Sequence, residues 1–452
     1  MGISAFLILA ALEIALAART CRRRPDRGIW RRDRLAVRGA ECALAALHLI
    51  LAPAQKWRFV PALGLLAALL ALSALVLLVR RGQREGTKKA AGAVASCAVS
   101  VLALGLSLIP AFLFTGYHGL PVTGPYRVEE SAAILIDHAR TDPFETDGSA
   151  REVPVHFYYP EEAGRFPLVL FSHGAFGYYQ SNTSTYLELA SNGYVVAALD
   201  HPHHAFFTQD SEGGTVLVDS GFLSTALDIS NSEDAFDAEE RLAIYRDWMA
   251  LRTADMNFVL DALEAAARTG AVAENWVISA DEAGAVQSAL ERMDCAQIGL
   301  MGHSMGGAAA VALGRERGDI SAVIDIDGTM LGEYLGVENG ALVLNETPYP
   351  VPVLEFNNWS SYLSRAAYLE QGGRYPNEEL IRHADAGFTT TIRDTEHMDF
   401  TDLPLFSPFL GGMLGSGTRD TAETMTLVNS LVLSFFDAHL KGEGAFTVQE
   451  LY

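Results

Sequence analysis

The stretch Gln297-Ile298-Gly299-Leu300-Met301-Gly302-His303-Ser304-Met305-Gly306-Gly307, running on into the small-residue segment Ala308 to Leu313, decides how this chain is read. An apolar run, a turn of glycines and a helical run follow one another, so the pattern is strand, sharp turn, helix, with Ser304 at the apex. The G-x-S-x-G spacing has a steric cause. A serine held in a strained turn needs near-absent side chains two residues to either side, so that strand and helix can approach closely.

A nucleophilic serine needs a base, and the base needs an orienting carboxylate. Where the serine sits on such a turn, acid and then base follow it along the chain. Ile320 to Gly328 reads as a buried strand ending in a turn, with Asp327 at its C-terminal end, where ligand-facing residues of parallel sheets collect. Asp325 lies two residues earlier, on the same face but deeper, and is the second choice. Thr389 to Arg393 reads as another strand, and His397 follows it in the loop Asp394 to Phe400, late in the domain. His383, in a polar helical stretch, and His439, at the end of the last helix, fit the role of base less well.

Upstream, the strand Pro167 to Ser172 opens into His173-Gly174-Ala175-Phe176-Gly177. A His-Gly turn after an early strand offers a backbone N–H to a tetrahedral oxyanion, and the residue after the nucleophile offers another. Here those donors are the amides of Ala175 and Met305, each worth on the order of 3 kcal/mol in a transition state.

With these pieces in order, the segments Phe171 to Gly174, Gly302 to Gly307, Ile326-Asp327 and Ile392 through Phe400 resemble the platelet-activating-factor acetylhydrolase family of serine esterases over roughly residues 125 to 440. The resemblance implies an α/β-hydrolase fold with Ser304 as nucleophile, Asp327 as orienting acid and His397 as base. The 23-residue step from Ser304 to Asp327 fits that family and favours Asp327 over Asp325. It implies no cofactor and no metal, and substrates among short-acyl or phospholipid-type esters. Ala175 stands where the family often has a larger apolar residue, a change that a backbone donor tolerates. His173, Phe176, His201 and His303 are expected to line the substrate site. A lipase, polyester hydrolase or amidase on the same site is the alternative, or an inactive scaffold on the hydrolase fold.

The first 116 residues read differently. Gly2 to Ala18, Ala40 to Ala54, Phe59 to Val79 and Ala90 to Thr115 are apolar runs near the length that spans a bilayer. Arginines crowd between the first and second runs, and Arg80, Arg81, Arg84, Lys88 and Lys89 separate the third and fourth. Four spans put both basic loops on the cytoplasmic side, with both termini outside. The expectation is therefore a multi-pass protein of the cell membrane, in contact with the lipid bilayer and carrying its hydrolase domain on the extracytoplasmic side. Residues 1–116 would form a membrane domain of about four transmembrane helices, 117–130 a linker, and 131–452 the catalytic domain, with an insertion at about 205–294.

Charge is split the same way. Residues 1–116 hold 16 Lys and Arg against 5 Asp and Glu, and the remainder holds 17 against 50. So acidic a domain repels nucleic acid and anionic lipid alike, and nucleic acid is excluded as a partner. Of four cysteines only Cys295 lies in the acidic part, so no disulfide staples it. The three histidines of His201-Pro202-His203-His204 are cramped by proline for a metal site and are expected instead beside the substrate mouth. Within the insertion, Asp237 to Ala267 has helical periodicity and is expected to pack on the sheet, while the polar Ser211 to Asp228 suits a lid. Arg252 and Asp255, at i and i+3, are expected to pair with each other.

Overall fold

Long runs of Val, Ile, Leu and Ala with no polar alternation belong to strands covered on both faces, and they set the architecture here. The computed structural model describes residues 2–51, 72–73, 75–76, 79, 86–107, 109, 113–114, 119–232 and 235–452. The chain forms two compact units, Met1–His118 with Phe406–Leu410, and Gly119–Leu405 with Gly411–Tyr452.

The second unit is built on a nine-stranded sheet. Its strands are β1 (Val128–Thr141), β2 (Ala150–Pro160), β3 (Phe166–Ser172), β4 (Val195–Leu199), then β7 (Trp276–Val277), β8 (Met293–His303), β9 (Ile320–Ile326), β12 (Val353–Asn358) and β13 (Gly387–Ile392). Two short hairpins supply the remaining strands, β5 (Phe207–Gln209) with β6 (Thr215–Leu217), and β10 (Tyr334–Glu338) with β11 (Ala341–Leu344). The sheet order is β13-β12-β9-β8-β3-β4-β2-β1-β7. From β13 to β4 every pairing is parallel, and β2, β1 and β7 add antiparallel strands at the far edge. Ser172, His303, Ile326, Asn358 and Ile392 therefore end five adjacent parallel strands on the same side, the side on which α/β sheets collect ligands.

Eight helices bear on the argument and are numbered with those of the first unit: α1 (Gly2–Arg23), α2 (Arg27–Leu51), α3 (Ala90–Ser107), α4 (Thr183–Ser191), α5 (Ser220–Asn231), α6 (Ala238–Thr269), α7 (Ala283–Arg292), α8 (Met305–Glu316), α9 (Trp359–Glu370), α10 (Pro376–His383) and α11 (Thr421–Phe436). One face of the sheet is sealed by Met256, Val259, Leu260 and Leu263 of α6, together with the alanines of α8. The other is sealed by Tyr186 and Leu189 of α4 and by Val428, Val432, Phe435 and Phe436 of α11. The periodic half of the insertion is thus a sheet-packing helix. It starts at a capping box of Asp237 and Glu240 and ends at Gly270, whose φ of 72° suits glycine. The polar half, Ser211 to Asp228, holds β6 and most of α5, and β5, the hairpin partner of β6, lies just before it.

The first unit corrects the membrane reading. Among the described residues no helix is long and apolar enough to cross a membrane. The four transmembrane helices, the multi-pass localisation and the extracytoplasmic placement that followed from them are therefore withdrawn. The expected span Phe59 to Val79 lies outside the described residues except for 72–73, 75–76 and 79. The physical reason is visible in the helices that are described. What read as a basic loop is largely helical, since α2 begins at Arg27 and runs without a break into the apolar stretch after Ala40. Its Arg34 and Arg38 turn inward, and both bind the fully buried Glu13 of α1. Arg38 also meets Glu41 at 2.5 Å, and both guanidinium groups donate to Ser100 Oγ of α3, at 2.6 and 2.7 Å. Helices that looked apolar by residue count carry a charged seam between them.

Candidate active site

Ser304 sits between the end of β8 and the start of α8, with φ 55° and ψ −125°. A non-glycine residue there carries strain of about 1–3 kcal/mol, and the surroundings fix it. The Ser304 amide donates to the Ile326 carbonyl at 2.8 Å. A Cβ on Gly302 would lie 2.2 Å from the Gly306 backbone, and one on Gly306 would lie 2.0 Å from the Ser172 carbonyl oxygen. Those two glycines let helix, strand and neighbouring strand close together beneath the serine.

Asp327 follows β9 with a positive φ of 59°, and its amide donates to the Phe356 carbonyl of β12 at 3.0 Å. This turn swings its carboxylate out of the sheet. His397, in the short helical turn after β13, places Nδ1 2.6 Å from Asp327 Oδ2. Asn358 completes the clamp. Its backbone N–H donates to Oδ1 and its side-chain amide to Oδ2, each at 2.7 Å. Burial pushes the His397 imidazole down, but the hydrogen bond and charge of Asp327 outweigh it and leave the pKa above the ordinary 6.5. The neighbouring His303 ring lies 4.6 Å from that of His397 and donates from Nε2 to the His397 carbonyl at 3.3 Å, which ties the serine turn to the histidine loop. Among the described residues the Ser304 hydroxyl has no hydrogen-bond partner.

Asp325 has a different environment. It is fully buried, it accepts from the Gly328 amide at 3.0 Å, and its second oxygen has no partner among the described residues. Burial, then the charges of Glu355 and Asp327, raise its pKa well above the usual carboxylate range. It is packed under Gly307 and Gly328, where a Cβ would lie 1.8 and 2.4 Å from its Oδ1.

Opposite the serine turn, the loop after β3 carries Ala175. Gly174 is required there, because a Cβ on it would meet His303 Nδ1 at 2.9 Å and Ser304 Cβ at 3.2 Å. The amides of Ala175 and Met305 make no hydrogen bond among the described residues. Met305 opens α8, where the first amides of a helix have no intrahelical acceptor.

Of the residues expected to line the substrate site, His173 and His201 are fully buried with both ring nitrogens engaged. His173 Nε2 accepts from the His201 amide at 3.1 Å and its Nδ1 donates to the Gly174 carbonyl at 2.6 Å. His201 Nδ1 donates to Asp255 at 3.0 Å and its Nε2 accepts from Ser172 Oγ at 2.9 Å. Burial lowers the pKa of both, that of His201 to about 4, so both rings are neutral. His303 is buried against the His397 loop. Phe176, half-buried at a φ of 60°, is the one of the four with a free surface beside Ala175. The expected Arg252–Asp255 pair does not form. Asp255 binds Arg151 at 2.8 Å and Arg140 at 2.9 Å, while Arg252 reaches the loop after β3. Among the described residues no group of His, Cys, Asp and Glu is arranged to hold a metal ion.

Sequence reasoning passed over Asn358. The available signal was its place at the end of the strand beside β9, one position from where Asp327 emerges.

Sheet order, the strained serine turn and the acid–base contact beyond β9 and β13 define the protein as an α/β-hydrolase. The fold recurs in the solved ferulic acid esterase from Streptomyces cinnamoneus, which matches with a TM-score of 0.52 and 23% identity over 73% of this chain and 95% of that one. Residues 152–449 match the family model described as platelet-activating factor acetylhydrolase, isoform II, and the chain belongs to that family. It is similar to the platelet-activating factor acetylhydrolase of Cavia porcellus, at 24% identity over 306 residues, which make up 64% of this chain and 61% of that protein. The chain thus spans less than two thirds of that relative's length.

Proposed function

We propose that the chain hydrolyses carboxylic esters through a covalent acyl-enzyme on Ser304. The observation that carries this reading is the 2.6 Å contact of His397 Nδ1 with an Asp327 carboxylate locked by Asn358, beside a serine held on a strained turn. In the first half-reaction His397 Nε2 takes the Ser304 Oγ proton as Oγ bonds to the ester carbonyl carbon. The amides of Ala175 and Met305 receive the oxyanion. The C–O bond to the alcohol then breaks, and His397 returns the proton to that oxygen. Water repeats the sequence on the acyl-enzyme, and the acid departs.

The preferred substrates are esters of short acyl groups, including phospholipid-type esters. Family membership supports this, as does the name of the Cavia porcellus relative, which specifies an acetyl group. The test is hydrolysis of p-nitrophenyl acetate, butyrate, octanoate and palmitate by the full chain, with Ser304→Ala alongside. Turnover confined to the short esters and lost in the variant is expected. Preference for palmitate would favour a lipase, and undiminished activity in Ser304→Ala would overturn the nucleophile.

A further inference from the structure

Arg252 of α6 is fully buried, and among the described residues no carboxylate lies within ion-pair distance of it. Burial pushes its pKa down and the charge of nearby Asp255 pushes it up. Arginine's intrinsic basicity leaves it a cation at any pH an esterase meets. A buried cation is costly unless its donors are satisfied, and the partners it has are specific. Nη1 donates closely to the His173 carbonyl, and Nη2 lies 3.4 Å from the Gly174 carbonyl. Nη1 also lies 3.5 Å from Ser172 Oγ and Nε 3.4 Å from His204 Nδ1. The guanidinium therefore grips the two consecutive carbonyls of the turn that leads from β3 to Ala175.

The Gly174 carbonyl and the Ala175 N–H belong to one planar peptide unit, in which C=O and N–H point in opposite directions. Whatever holds that carbonyl also aims that amide. His173 Nδ1 donates to the same oxygen at 2.6 Å, so a neutral imidazole and a guanidinium converge on it. A positive charge at the oxygen end polarises the peptide and makes the N–H a stronger donor, and the same charge stabilises an anion forming beyond it.

We propose that Arg252 is a positioning residue of the oxyanion site, which fixes and polarises the Gly174–Ala175 peptide without touching substrate. The inference rests on the reading of Ala175 as an oxyanion donor. It assigns a role to a helix of the insertion: α6 carries the cation that sets the far side of the site.

The test compares Arg252→Lys and Arg252→Met in the full chain. It follows kcat and KM for p-nitrophenyl acetate, together with inhibition by a trifluoromethyl ketone, which adds to the serine as a tetrahedral oxyanion. Loss of one preorganised oxyanion donor lowers kcat by about 10²–10³-fold. Arg252→Met should approach about 10²-fold in kcat and lose ketone affinity by a similar factor, with KM changed less than about threefold. Arg252→Lys, which keeps a charge but grips with a single ammonium, should recover about tenfold of that loss. If Arg252→Met does not fold, Arg252→Lys decides alone: kcat and ketone affinity should fall together by about tenfold. A folded variant whose kcat and ketone affinity stay within twofold of the parent overturns the proposal, and so does a loss confined to KM. Failure of the serine reading is seen separately, as activity retained in Ser304→Ala.

Discussion

Both units of this protein bury arginine, and they differ in how one of those charges, Arg252, is satisfied. In the helical unit Arg34 and Arg38 face Glu13 and Glu41, so each buried charge has a counter-charge, and the seam serves packing between helices. In the sheet unit Arg151 is matched in the same way by Asp142 and Asp255, but Arg252 beside it is matched by backbone carbonyls of the loop after β3. Where a buried charge meets a counter-charge, its removal should register in stability. Where it meets functional backbone, or holds an acid–base pair, its removal should register in turnover.

The sharpest division should come from two aspartates two residues apart. Asp327→Asn, which spoils the tautomer and orientation of His397, should lower kcat by about 10³–10⁴-fold in steady-state ester hydrolysis. Asp325→Asn should change kcat by less than about threefold, because an amide has the shape of the carboxyl group and still accepts from Gly328. Equal losses in the two variants would erase the distinction between the deep and the emergent carboxylate. The same pair checks the base. The free imidazole is the active form, so kcat/KM should rise with pH through a midpoint above 6.5. That midpoint should move down in Asp327→Asn, where the raising charge is gone.

Next in size is Asp255→Asn. It leaves Arg151 and Arg140 without their shared carboxylate in the core, and should cost about 3–5 kcal/mol in denaturant unfolding. A stability unchanged by this substitution would mean that the buried network is not what holds α6 to β1 and β2. Smallest is Glu13→Gln, which keeps one acceptor for the two arginines and should cost about 1–3 kcal/mol. Amide exchange in α1 and α2 would report the loss, with ester turnover unchanged. A fall in kcat would break the comparison, since a packing seam would then be feeding the chemistry.

The same contrast explains what could be read from the sequence. The strand, turn and helix around Ser304 are local, so Gly302, Ser304 and Gly306 mark them, and strands covered on both faces show as unbroken apolar runs. Chain order and strand ends brought Asp327 and His397 forward as partners, and the structure sets them in contact at 2.6 Å. Long-range polar pairing left no such trace. Glu13 and Glu41 lie in apolar stretches of the sequence while their partners Arg34 and Arg38 fall in the basic segment between them, and hydropathy has no way to show two helices facing each other. Asn358 and Arg252 were hidden for the same reason, since each acts on a residue distant in sequence. The spacing of Arg252 and Asp255 suggested a local pair that the tertiary contacts of Asp255 override.

The clamp on Asp327 limits what can move during a turnover. With the Asn358 amide, its side chain and His397 all donating to one carboxylate, the acid has no rotamer to visit. The serine is fixed by its backbone, and the loop opposite by its carbonyls. In the proposed reaction the proton's journey from nucleophile to leaving alcohol then comes down to the tilt of one imidazole, a part-exposed ring on an otherwise rigid mount.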